Sequence, residues 1–217
     1  MTITQWATYF DIIQDKYGSP YFTDAEKSLL FNRATVQYVQ QFFDVRQPAQ
    51  LNIEFDRDSI SSLSTLIYEL PSIAMSSAGI ITKAQIQTAL TALLAGALFW
   101  REVEIKATLG NVVNPVNYTR HNDWAQFLNN AFKVPTNDNP KCYETALDFR
   151  FLPINQTTQI VFTVVKFPVV VDITTVVNSD MPDFTHDKIL AMALELAGIA
   201  SRDEALIALK GTRAQEI

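Results

Sequence analysis

The chain has few of the residues on which catalytic and cofactor-binding motifs depend. Among its 217 residues there are one cysteine, two histidines and six glycines. A single cysteine, Cys142, excludes an intrachain disulfide and predicts an intracellular folding environment, with Cys142 itself a half-buried strand residue. The glycines do not have the spacing of a P-loop, a dinucleotide-binding turn or a nucleophile elbow, so these motifs are absent.

Long apolar runs and clusters of like charge are also missing. The longest apolar run, Ala92 to Trp100, is much shorter than the roughly 20 residues that cross a bilayer, and the N-terminus lacks the pattern of a signal peptide. We therefore expect a soluble protein with no membrane partner. Lys and Arg do not cluster and the net charge is -6, which argues against a dedicated nucleic-acid binder.

The composition is nevertheless apolar for a chain with so few charges. Hydrophobic residues make up 48%, charged residues only 18%, and the mean hydropathy is +0.06. This balance indicates that partners cover part of the surface. The length suits one core, or one core with a smaller inserted subdomain.

Both ends of the chain carry helical patterns. A first helix ending near Tyr17 is predicted by apolar residues at helical spacing, namely Ile3, Trp6, Phe10 and Ile13. A second, from about Asp24 to Phe43, is predicted by a capping box and an apolar stripe, namely Thr23 with Glu26, then Leu30, Ala34, Tyr38 and Phe42.

The C-terminal pattern resumes after Met181 and Pro182. A helix ending at Gly198 is predicted by an Asp183 or Thr185 cap and by the apolar residues Ile189, Met192, Ala193 and Leu196. Ser201 and Glu204 form another capping box, which predicts a last helix ending at Gly211.

The middle of the chain is predicted to be rich in strands. Residues 51–55 alternate as a short strand, residues 60–70 fit a helix or a strand and are taken as a helix, and residues 83–98 could form a helix. Residues 99–107 alternate with a two-residue period, which predicts a strand with Glu102 and Glu104 on one solvated face. Further strands are expected at 112–118, 143–151 and 160–171, the last two joined as a hairpin by residues 155–158.

These elements predict an α+β fold. Residues 1–43 and 183–217 would form a helical body, and residues 44–98 a mixed connection. Residues 99–182 would form a β-rich subdomain containing hairpins and an extended arm, residues 127–140, bounded by prolines.

The arm contains no catalytic or metal-binding motif, and its composition favours an extended conformation. Its sequence FLNNAFKVPTNDNP is rich in Asn, and its two prolines disfavour regular ladders around them. We predict that it contacts a neighbouring subunit, with subunit-interface candidates Phe127, Phe132, Val134, Pro135 and Pro140.

Groups able to perform catalysis or bind metals are sparse. His121 and His186 lack ligand-spaced partners, so surface or capping roles are expected for both. Two acidic groups could hold a cation, but loop solvation and helix-dipole placement explain them as well or better, namely Asp56 with Asp58 and Asp180 with Asp183 and Asp187. We interpret Glu102 and Glu104 as solvated strand charges rather than an acid/base pair. No catalytic residue, cofactor site or metal site is therefore predicted.

Aromatic residues allow two interpretations. Those of the first two helices, Trp6, Phe10, Tyr38 and Phe42, are expected in a helix–helix core because no cations are interleaved with them. Trp100, Trp124 and Tyr118 could instead form a stacking surface for a small ligand or carbohydrate, which leaves a binding module as an alternative of another class.

Four segments, taken in order, resemble structural proteins of tailed bacteriophages. They are KYGSPYFTDAEKSLLFNRATVQYVQQFF, NNAFKVPTNDNP followed by a strand ending in FLP, VFTVVKFPVVVDI, and MPDFTHDKILAMALELAGI. The nearest resemblance is to ring or adaptor proteins, the head-tail connectors in the neck of crAss-like podoviruses of Bacteroidales hosts. Residues 44–98 match that pattern least clearly.

The resemblance implies a virion structural protein without enzymatic activity. Such subunits form a cyclic homo-oligomer, commonly of twelve, between the portal and the tail, and genomic DNA passes through the channel without sequence-specific binding. It also implies assembly in the host cytoplasm with the portal and other neck or tail proteins as partners. A tail-tube or tail-hub subunit is a structural alternative.

Overall fold

The chain has an α+β fold that divides into two compact units. The computed structural model describes residues 1–17, 21–43, 61–109, 112–119, 124, 127, 134–153 and 158–201. The helical unit comprises Met1–Leu66 and Pro168–Ile217, and the β unit comprises Ile67–Phe167. The β unit is therefore inserted in the helical unit. The division differs from the predicted one because residues 168–182 belong with the helices and residues 67–98 with the strands.

The helical unit contains α1 (Ile3–Tyr17) and α2 (Asp24–Gln41), as predicted. Thr23 and Glu26 form the predicted capping box, in which each side chain accepts from the other residue's backbone N–H. All four predicted apolar residues of α1 are buried. On α2 the buried face centres on Phe31, which is fully buried and makes edge-to-face contacts with Trp6 and Phe10.

The C-terminal part of the helical unit begins with a 3-10 turn (Asp183–Thr185) and continues as α4 (His186–Ser201). The predicted end at Gly198 is wrong, because the helix continues through this residue to Ser201. Ile189 and Ala193 are fully buried, as predicted, while Met192 and Leu196 are half-buried.

The β unit is built from two sheets and one helix. The strands are β1 (Ile67–Glu69), β2 (Ile73–Ala74), β3 (Ile80–Thr82), β4 (Phe99–Leu109), β5 (Val112–Pro115), β6 (Asn117–Tyr118), β7 (Lys141–Glu144), β8 (Asp148–Leu152) and β9 (Gln159–Lys166). Sheet A has the order β1-β9-β4-β5, with β2 also paired to β9, and sheet B has the order β3-β8-β7-β6.

Side chains from both sheets form one apolar core. Phe162 of β9 is fully buried, and its ring contacts those of Phe149 and Phe151 on β8. Ile105 on β4 and Ile86 on the helix α3 (Lys83–Leu93) belong to the same core cluster. The β unit therefore has a hydrophobic core of its own, which is what an independent folding unit requires.

The junction with the helical unit is a pair of antiparallel strands. β1 is the first strand of the β unit and β9 is the last, and Ile67 lies opposite Val165. The chain therefore enters and leaves the β unit at neighbouring positions.

Three predictions about the middle of the chain are wrong. Residues 67–69 form strand β1 rather than part of a helix. The predicted strand 143–151 is two strands, β7 and β8, because Thr145 makes a turn in which its hydroxyl bonds the carbonyl and carboxylate of Asp148. The strands flanking residues 155–158 do not form a hairpin, since β8 lies in sheet B and β9 in sheet A.

Several other predictions have a partial outcome or none. Helix α3 occupies the first part of residues 83–98 and begins with a capping box, Thr82 with Gln85, that sequence reasoning missed. Strand β9 ends at Lys166, before Pro168. The predicted strand at 51–55 and the predicted last helix at 201–211 lie outside the described residues, apart from Ser201.

Candidate functional site

The five interface candidates from the arm have different environments. Val134 is 56% exposed and Phe127 is half-buried, whereas Pro135 and Pro140 are buried. Phe132 lies outside the described residues. Val134 is therefore the candidate whose side chain a partner could reach most directly.

The described end of the arm is a compact turn. Thr136 pairs with Asn139 in an antiparallel bridge. Asn114 donates a hydrogen bond of 2.9 Å to the carbonyl of Asn137, and the Asn117 side-chain amide donates one of 3.0 Å to Asn139 Oδ1. Residues 136–139 are thus held on the strands of their own β unit, which differs from the extended conformation predicted for them.

A second apolar surface lies in the helical unit, in the segment from Val169 to Phe184. Large apolar side chains in this 169–184 segment are exposed as follows: Val169 39%, Val170 64%, Val176 58%, Val177 36% and Phe184 59%. Asp180 Oδ1 accepts from the backbone N–H of Val169 at 3.1 Å and so links the beginning of the segment to its end. Sequence reasoning missed this surface because a run of valines also fits a buried strand.

Its centre is a hairpin between Asp172 and Val177, which exchange two backbone hydrogen bonds. The Asp172 carboxylate accepts from the Thr174 backbone N–H and the Thr175 hydroxyl, and these bonds lower its pKa. Val176 has φ of 57°, in the left-handed region that β-branched residues rarely adopt. The hairpin thus places a strained valine at an exposed position.

Side chains of α2 and a backbone N–H of α1 fix the ends of this hairpin. Asn32 Nδ2 donates to the Val171 carbonyl at 2.9 Å, and Asn32 Oδ1 accepts from the Val171 N–H at 2.8 Å. Ser28 Oγ accepts from the backbone N–H of Ile173, and Asn178 Oδ1 accepts from that of Ile3. The hairpin is therefore preorganised on the helices.

The predicted common face of Glu102 and Glu104 is wrong. Glu102 lies opposite Val164 and Glu104 lies opposite Thr163, so Val103 is an extra residue in β4. Because neighbouring residues of β9 point to opposite faces, this bulge turns Glu102 to the inner face of sheet A. Glu104 stays on the outer face, where it pairs with Lys106 at 3.1 Å.

Polar groups of sheet B lie near enough to Glu102 for their charges to affect one another. Tyr118 lies opposite Cys142 in the register of β6 and β7, and burial together with the Glu102 charge raises the pKa of Tyr118. Burial is the main cause that raises the pKa of Glu102; the Glu144 charge raises it further, and hydrogen bonds, including that from Tyr118, lower it. Burial, and then the Glu102 and Glu144 charges, raise the pKa of Cys142 to about 12. Cys142 is completely buried, more than predicted, and its thiol is protonated and unreactive.

His186 is buried rather than on the surface. Its Nε2 lies 2.9 Å from the Met181 carbonyl and its ring contacts Trp6 edge to face. Since a carbonyl only accepts, Nε2 carries the proton, and Nδ1 faces the Met1 amine at 3.0 Å. Burial lowers the pKa of His186. This residue therefore serves the packing of the helical unit.

The three acidic residues near the start of α4 are either paired within the protein or exposed to solvent. Asp183 pairs with the Met1 amine, Asp180 accepts from Val169, and Asp187 is exposed. No group of three or more His, Cys, Asp or Glu residues in the described part of the chain is arranged to hold a metal ion. His121, Asp56 and Asp58 lie outside the described residues.

Two of the three rings considered for ligand stacking lie on opposite faces of sheet B. Tyr118 is 46% exposed and lies opposite Cys142 in the strand register, whereas Trp124 packs on Tyr143, the next residue of β7, whose side chain points to the other face. Trp100 contacts Phe167. A cleft in the β unit beside Pro140 and Phe151 has room for only about one water molecule.

Comparison with known proteins does not assign the chain to a family. No protein-family model matches it, and no curated protein is significantly similar to it. Among the described helices, none combines the length and the apolarity that crossing a bilayer requires.

Proposed function

We propose that this chain is a virion structural protein that forms a ring in the neck of a tailed bacteriophage, between portal and tail. The structural observation that carries the proposal is the 169–184 segment. It exposes several large apolar side chains on one preorganised element, which is the usual mark of a protein–protein contact.

The hairpin of this segment adds a second argument. Val176 combines a strained backbone with an exposed apolar side chain, and these two costs are not offset within the described subunit. Strain of this kind persists where a functional contact requires it. A neighbouring subunit that covers Val176 would compensate for the exposure, and repetition of that contact around an axis would close a ring.

The remaining features support the same function. The order of sequence patterns resembles neck ring proteins, and the net charge of -6 suits a channel wall that repels phosphates and lets DNA slide past. The separation of Tyr118 from Trp124 disfavours a carbohydrate platform built on these rings. Phe127, Phe132 and Val134 supply a further contact to a subunit or to the next ring.

The test is the native mass of the purified protein by light scattering, with negative-stain imaging of large species. We expect closed rings, either alone or after addition of the portal. Val170→Asp and Phe184→Asp should each prevent assembly, whereas Leu147→Asp, at an exposed apolar residue of the β unit, should not. A monomer under both conditions would refute the proposal.

The same preparation separates the neck from the tail. Labelling of the protein in virions should place it at the head–tail junction. A label along the tail or at its tip would instead support a tail-tube or tail-hub subunit.

A further inference from the structure

The β unit has an apolar strand at the edge of a sheet. Among the described residues β5 pairs with β4 alone, so it is an edge strand of sheet A. Val112 and Val113 point to opposite faces of this strand, and they are 54% and 56% exposed. Natural edge strands usually carry charges or are covered, because an apolar edge invites contact with another chain. β5 therefore has the properties of a docking element.

The described end of the arm lies beside this edge. Asn114 of β5 donates to the carbonyl of Asn137 at 2.9 Å, and Asn117 of β6 donates to Asn139 Oδ1 at 3.0 Å. Val134, three residues before Asn137 in the chain, is 56% exposed. The edge strand and the exposed interface candidate of the arm therefore belong to one region of the β unit.

Charge is divided unevenly between the two units. The helical unit has 16 of the 23 acidic residues and 9 of the 17 basic residues, which leaves 7 acidic and 8 basic residues in the β unit. The 169–184 segment has three Asp and no Lys or Arg, and the Met1 amine offsets one of these charges at Asp183. Residues 107–119, which include β5, contain no charged side chain. The helical unit is thus acidic, and the β unit is close to neutral.

This division of charge favours one kind of partner for the 169–184 segment. Two copies of the segment placed face to face would bring carboxylates against carboxylates, which like-charge repulsion disfavours. β5 has no carboxylate to be repelled. Its two exposed valines can bury apolar area against Val170, Val176 and Phe184, which are all more than half exposed.

We propose that β5 of one subunit docks on the 169–184 segment of its neighbour. The contact is heterologous, because it joins two different surfaces, and each subunit can therefore make it once with each of two neighbours. The inference rests on the proposed ring, and it names the surface that covers Val176 in that ring.

The test uses two variants that each block one side of the contact. Val113→Asp blocks β5 and Val170→Asp blocks the 169–184 segment, and neither should form rings under the condition in which the wild type does. An equimolar mixture retains one intact surface of each kind. It should form a dimer of twice the 24.4 kDa of one chain that grows no further, as measured by size-exclusion chromatography with light scattering.

Two further variants control for the position and the sign of the new charge. Leu147→Asp introduces the same charge at an exposed apolar residue elsewhere in the β unit, and it should assemble as the wild type does. Val113→Lys should retain more assembled protein than Val113→Asp, because the neighbour's segment offers carboxylates and no Lys or Arg. If circular dichroism shows that Val113→Asp does not fold, Val112→Asp replaces it, since Val112 is similarly exposed on the same edge.

Each alternative occupant predicts a different result. Rings formed by Val113→Asp would overturn the docking of β5 and leave the neck function in place. Rings formed by Val170→Asp would overturn it by showing that the segment binds another protein, such as the portal. Dimers of Val113→Asp alone would show that the segment binds itself, and a mixture that stays monomeric would exclude the heterologous contact. Open chains of the wild type, together with the mixed dimer, would support the docking and refute the ring.

Discussion

Asn32 is the side chain whose removal tests most directly how the 169–184 segment is held. Its amide makes two hydrogen bonds, of 2.9 and 2.8 Å, to the carbonyl and N–H of Val171. Val171 is 1% exposed, so water has little access to these backbone groups once the amide is gone. Each unpaired buried group costs about 1 to 3 kcal/mol, and Asn32→Ala leaves two.

We expect Asn32→Ala to lower the free energy of unfolding of the helical unit by about 2 to 4 kcal/mol. This is less than the full cost of two unpaired buried groups, because Asn32 is half-buried and its position admits some water. Such a loss is a large part of the 5 to 15 kcal/mol, roughly, that stabilises a typical domain. In urea unfolding followed by circular dichroism at about 222 nm, the midpoint should fall by about 1 to 2 M.

Asn32→Asp gives a sharper test. Its carboxylate can accept from the Val171 N–H but cannot donate to the Val171 carbonyl, and it repels that oxygen. The variant should therefore be destabilised at neutral pH and recover as acid protonates the carboxyl, measured against wild type at the same pH.

Gln40→Ala, at an exposed position of the same helix, is the control for loss of a side-chain amide. If Asn32→Ala were within about 0.5 kcal/mol of this control, the two bonds would not hold the segment.

Two further predictions concern the helical unit. Val176→Gly should have a free energy of unfolding about 0.5 to 1 kcal/mol higher than that of Val176→Ala. Both variants lack the valine methyls, but only glycine avoids the penalty of positive φ. Equal urea midpoints of the two variants would show that this φ costs nothing. His186 has a lowered pKa in the folded state, so its contribution is fully present above its unfolded pKa of about 6.5 and is lost as the pH falls toward the folded pKa. His186→Gln should flatten the dependence of unfolding free energy on pH between about pH 5 and 7, and an unchanged slope would refute the assignment.

The helices were predictable because their signals are local. The Thr23 and Glu26 box fixes where α2 begins, and a 3.6-residue apolar period fixes which face is buried. Gly198 misled the prediction of the C-terminal boundary because glycine is tolerated within a helix whose stability comes from packing. The turn before β8 was missed because it contains neither Gly nor Pro, and Thr145 supplies the turn bonds instead.

The pairing of the strands was not predictable for a different reason. A short polar loop such as 155–158 fits both a hairpin and a crossing between sheets, and long-range packing decides between them. The bulge at Val103 has no signature in an alternating sequence, because it is defined by the partner strand. The inward position of Glu102 therefore required the three-dimensional structure.

The strand pair at the junction of the two units has a consequence for the order of folding. The halves of the helical unit are separated by the roughly 100 residues of the β unit, and bringing two such distant points together costs about 4 kcal/mol of chain entropy. Pairing of Ile67 with Val165 brings these points to within about 5 Å. Once the β unit has folded, the chain that separates α2 from α4 is effectively shorter by the roughly 100 residues of the β unit. The folded β unit thus lowers the entropy cost of bringing the two halves of the helical unit together. The stability of the helical unit therefore includes a contribution that needs no side-chain contact with the β unit.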